Sequence, residues 1–125
     1  MRNIPTLFFA TSALFASLGM VWGIQMSATH DHTLSPAHGH LNLIGFVVMA
    51  VFGTYYALTP RAASSKTAMG HFVLTLAAVV VLVPGIVLAI TEQGELLAKL
   101  GSVLSLLSMV LFLVVVLRHG VGHQA

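Results

Sequence analysis

The side chains in this chain best suited to chemistry are its histidines. Seven occur in 125 residues, and four of them fall within eleven positions, as His30-Asp31-His32 and His38-Gly39-His40. A neutral imidazole nitrogen is a good ligand for zinc or copper, and a neighbouring carboxylate adds charge to the site. His30, Asp31, His32, His38 and His40 are therefore the candidate metal-binding set, with copper or zinc as the ion. No cysteine is present, which excludes disulfides, thiolate metal sites, iron–sulfur clusters and haem attached through C-x-x-C-H. The bland alternatives are a solvated loop for the first triplet and a polar pair at a membrane interface for the second.

The pair His38/His40 constrains its own geometry. Residues two apart on a helix point about 200° apart. If both are helical they serve different faces and cannot chelate one ion together. If the helix begins only at His40, His38 can swing round to join it. His38, Asn42, Gly45, Met49, Phe52 and Tyr56 fall within about 40° of one line at the helical 100° per residue. That face is polar, small or aromatic, whereas the face carrying His40, Ile44, Val47, Val51 and Leu58 is apolar. Asn42, one turn from His38, could orient a ligand. Gly45 could admit a flat macrocycle or simply another helix, since small residues commonly line helix contacts.

The elements that must position these residues are membrane helices. Apolar residues make up 58% of the chain and charged residues only 6%, against about 25% charged in a soluble domain. Five basic side chains are too few for a nucleic-acid surface, so no nucleic-acid partner is expected. Four stretches reach the ~20 apolar residues that a span requires: 7–26, 38–58, 69–90 and 96–117. The first follows Arg2 as a signal peptide would, but it is longer than a usual signal core and Met26-Ser27-Ala28 is a poor cleavage site. It is read as a span. Short connections favour an all-α, up-down bundle in a single domain, with the lipid bilayer as its surroundings.

Charge orients the bundle. Arg2, Arg61, Lys66 and Arg118 fall on one side, while Asp31, Glu92 and Glu95 with Lys99 fall on the other. The positive-inside rule then places both termini in the cytoplasm, in a bacterial inner membrane if the source is a bacterium. His38 and His40 lie near the outer end. His71 lies near the inner end of the third span, too far to share their site, and with His119 and His123 is read as an interface residue. Ser102, Ser105 and Ser108 are read as contacts between helices, and Pro84-Gly85 as a kink or loosening of the third helix. No carboxylate lies deep in a span, so ion or proton transport is not expected.

The stretch Ala37-His38-Gly39-His40-Leu41-Asn42-Leu43-Ile44-Gly45-Phe46, continuing to Phe52-Gly53-Thr54-Tyr55-Tyr56-Ala57-Leu58-Thr59-Pro60, resembles the tenth helix of the haem–copper oxidase and nitric oxide reductase catalytic subunit. That helix carries an H-x-H pair, a glycine about five residues on and often Tyr-Tyr before a proline. The likeness spans residues 37–60. It implies b-type haem, bound without covalent attachment, with His38 resembling the ligand of the high-spin haem and His40 that of the low-spin haem. Asn42 and Gly45 are carried over as the flanking cofactor contacts.

The family's catalytic subunit has twelve helices in three arcs of four, and this chain supplies enough for one arc. The resemblance thus implies a homotrimer rebuilding the ring. The family's copper or non-haem iron ligands and its active-site tyrosine or glutamate have no counterpart here, so no complete catalytic site is expected. The leading expectation is a membrane haem protein for electron transfer or for binding oxygen or nitric oxide. The rivals are an outer-face copper or zinc protein and a non-catalytic structural or assembly subunit.

Overall fold

The computed structural model describes residues 3–122. Four helices are long and apolar enough to cross a membrane: Ile4–Thr29, Ser35–Leu58, Lys66–Ile90 and Leu96–His119. The protein is an integral-membrane four-helix bundle. Each span outruns its apolar stretch because caps and turn chemistry, not hydropathy, set helix ends. The Asn3 side chain accepts the Thr6 N–H at 2.9 Å, with Pro5 in the first turn. Pro60 keeps Thr59 out of the helical region, at φ -127° and ψ 75°, and so ends the second helix. A short helix, Pro60–Ala63, leads into the third. Gly120, at φ 67°, ends the fourth. The third helix continues through Pro84.

The second helix changes character along its length. It is α-helical over Ser35–His40, a π-helix over Leu41–Val48, and α-helical again over Met49–Leu58. A π-helix has more residues per turn, and burial follows it: Ala37, Leu41, Gly45 and Met49 are buried at intervals of four before Phe52 and Tyr56 return to the tighter α spacing. The inward face is the one expected from the sequence, with His38 and Asn42 half-buried. His40, Val47, Val51 and Leu58 are exposed.

The second helix packs chiefly on the first, and the third on the fourth. The third and fourth meet backbone to backbone. A Cβ at Gly85 would strike the backbone at Leu97 and Ala98, and one at Gly101 would strike Leu82. Only glycine allows that approach. The second and third helices form the middle of the bundle, where Phe8, Phe52, Tyr56 and Phe72 build the buried aromatic core. The first and fourth form opposite flanks. The fourth fully buries only Gly101, Ser108 and Val115, one residue every seven; Leu111, Phe112 and Val116 pack partly against the core, while Val103, Leu106, Val110 and Leu113 turn outward. Both described chain ends lie at one end of the bundle. Asn3 and Ile4 border a cleft with Tyr56 and Pro60, and the Gly122 N–H donates to Thr59 Oγ1 at 3.0 Å.

Candidate functional site

At the end away from the termini, the expected metal set does not assemble. Among the described residues no three His, Cys, Asp or Glu side chains come together as ligands. The copper or zinc expectation is corrected on that ground. Each candidate is engaged differently. His30 is the left-handed residue that ends the first helix, at φ 56°, and is exposed, as is His32. Asp31 accepts the Thr33 hydroxyl at 2.6 Å and the Thr33 N–H at 3.0 Å, forming a local turn. Those two hydrogen bonds hold its carboxyl below the usual range.

His38 and His40 point apart, as their spacing requires. The His38 ring turns onto the first helix, where its Nε2 lies 2.9 Å from the Gly19 carbonyl and its face meets Trp22 edge-on at 5.8 Å. A carbonyl only accepts, so Nε2 carries the proton and donates. The Asn42 amide donates to the His38 carbonyl at 3.1 Å and packs where a Gly19 Cβ would stand. Gly45 takes the Phe15 ring in the same way. Asn42 and Gly45 therefore close a helix contact.

At His38 this arrangement leaves no room for a haem. The nitrogen that would bind iron is committed to Gly19, and the space a macrocycle would need holds Asn42, Phe15 and the first helix. The haem expectation is corrected at His38, Asn42 and Gly45 on that ground. His40 is exposed; its Nδ1 donates to the Pro36 carbonyl at 2.7 Å, which fixes the ring on its own helix. Lys99, the basic residue nearest that end, is occupied by Glu95 at 3.7 Å.

The polar constellation lies at the other end. His71 is fully buried. Its Nε2 donates to the Ser108 carbonyl at 3.1 Å, so its Nδ1 is free to accept the Tyr56 hydroxyl at 2.8 Å. One neutral tautomer satisfies both bonds. The Thr75 hydroxyl donates to the His71 carbonyl at 2.8 Å and accepts the Ser108 hydroxyl at 2.6 Å. Phe52 at 4.5 Å, Phe8 at 5.7 Å and a stacked Phe112 at 5.9 Å enclose the imidazole. Tyr55 and Thr59 extend the cluster. The Tyr55 hydroxyl donates to the Gly120 carbonyl at 2.6 Å, and Thr59 receives Gly122. Among the described residues no buried side-chain polar atom lacks a partner.

His71 is thus a buried junction and not the interface residue expected from the sequence. The signal lay in Thr75, one turn along the same helix, and in Tyr56 on the inward face of its neighbour. Of the three serines on the fourth helix, only Ser108 reaches another helix; Ser102 and Ser105 bond to their own backbone. His119 is half-buried at the end of the fourth helix, and His123 lies outside the described residues. Chemically the cluster is a closed set of hydrogen bonds joining the second, third and fourth helices, with no nucleophile or ligand left open. No protein-family model, curated protein or solved structure matches the chain.

Proposed function

We propose that this protein is a non-catalytic structural subunit of the membrane, three copies of which close into a twelve-helix ring similar to that of the haem–copper oxidase catalytic subunit. The observation that carries this reading is the placement of the first and fourth helices on opposite flanks of the bundle, with no substantial interface between them. Both flanks are apolar and unpartnered within the chain. Leu14 and Leu18 on the first helix, and Val103 and Leu106 on the fourth, are about half exposed or more. Two different flanks joined head to tail generate a ring when the rotation closes. The polar groups turn inward and are satisfied within one copy, as expected of a subunit that offers packing surface and not a reactive site. The basic residues Arg61, Lys66 and Arg118 at the terminal end favour an inner-membrane orientation with both termini cytoplasmic.

The chain contains no cysteine, so engineered pairs report cleanly. Leu18→Cys and Leu106→Cys sit at matching depth on the two flanks. Oxidising the double variant in membranes should give covalent dimers and trimers, with the ladder ending at three. A product confined to monomer, or a ladder continuing well past three, would sink the ring.

A further inference from the structure

We propose that the cleft at the terminal end of the bundle binds the phosphate headgroup of an anionic phospholipid. The cleft has a volume of about 520 Å3 and lies between the start of the first helix and the connection from the second helix to the third. Its walls divide by chemistry. Ile4, Ala57 and Met69 are apolar, while Ser64 and Ser65 line the side formed by the connection. Such a division suits an amphiphile: acyl methylenes lie along the apolar wall and the headgroup lies at the serines.

Charge selects the occupant. Arg61 and Lys66 flank Ser64 and Ser65 in sequence, and both are exposed. Lys66 precedes Met69 by three residues on the third helix, which places it on the helix face that borders the cleft. The only ion pair among the described residues joins Lys99 and Glu95 at the far end, so neither Arg61 nor Lys66 has an acidic partner. All three acidic side chains of the protein, Asp31, Glu92 and Glu95, belong to the opposite end. The terminal end is therefore purely cationic in its described side chains, and a phosphodiester supplies the missing negative charge. The backbone adds a smaller contribution. Ser65 precedes the third helix without capping it through its side chain, which leaves the first N–H groups of that helix directed out of the helix beside the same wall.

The test is native mass spectrometry of the full chain released from micelles doped with phosphatidylglycerol or phosphatidylcholine. Phosphatidylglycerol should be retained about fivefold or more over phosphatidylcholine. The Arg61→Gln/Lys66→Gln variant should lose that preference with its helical circular dichroism unchanged. Ala63→Trp, which fills the cleft and leaves both charges, should lose retained lipid as well. Equal retention of the two lipids would overturn the proposal, as would an Ala63→Trp variant that holds phosphatidylglycerol normally. Displacement of the lipid by inorganic phosphate would also overturn it, because the site would then be one for free anions.

Discussion

His38 and His40 lie near one end of the bundle and His71 toward the other, and the two regions use the same side chain in opposite ways. At the first, the imidazoles diverge. One leans on a glycine carbonyl of the first helix and the other turns back to Pro36 on its own helix. At the second, one imidazole is fully buried and both of its nitrogens bridge to other helices, through Tyr56 and the Ser108 carbonyl. Clustering in sequence marked the first region, and burial marks the second. A histidine gains structural weight from the number of elements that meet at it, and a lone histidine at a three-helix junction outweighs a neighbouring pair at a helix end.

The comparison can be broken by substitution. The largest effect is expected for His71→Ala. It opens a cavity among Phe8, Phe52 and Phe112 and strands the Tyr56 hydroxyl, a loss of about 3–5 kcal/mol by analogy with buried aromatic truncations. Equilibrium unfolding in mixed detergent micelles would read it. Gly101→Leu comes next. A side chain there must displace the Leu82 backbone, at a cost of about 1–3 kcal/mol or more, read as a fall in thermal midpoint. Tyr56→Phe keeps the packing and removes one donor, leaving His71 Nδ1 unsatisfied. It should cost about 1–3 kcal/mol, less than His71→Ala in the same micelles.

The smallest effect belongs to Asp31. Its carboxyl is depressed by the two Thr33 hydrogen bonds, so the turn is favoured above the unfolded carboxylate pKa. That contribution is lost as the pH falls through the lower folded value. The Thr33 amide resonance should therefore titrate below the ordinary aspartate range, with global unfolding unaffected. A midpoint at or above that range would show the turn to be absent.

Much of the architecture was legible in the sequence, because four apolar stretches of bilayer length leave little choice. The inward face of the second helix was legible as well, since Gly45, Met49, Phe52 and Tyr56 keep helical spacing. Its π segment was not: the wider turn leaves no distinctive mark on the residue types of Leu41–Val48. The site was misplaced for a related reason. His38 and His40 look like ligands by type and spacing, but the Gly19 contact that occupies His38 is a meeting of two helices, and sequence spacing carries no information about it. Tyr55, Tyr56 and Thr59 belonged to the stretch that resembles the oxidase helix. Their hydrogen bonds to Gly120, His71 and Gly122 give those residues a packing role in this chain that needs no cofactor.

The central claim is that the junction at His71, and not the paired histidines at the far end, holds the bundle together. The most direct test measures unfolding free energy in one micelle system for His71→Leu beside His40→Leu. The expected result is a loss of several kcal/mol at His71, about 3 or more, with His40 within about 0.5 kcal/mol of the parent. A His40 variant as damaging as the His71 variant, or a His71 variant that unfolds like the parent, would contradict the account.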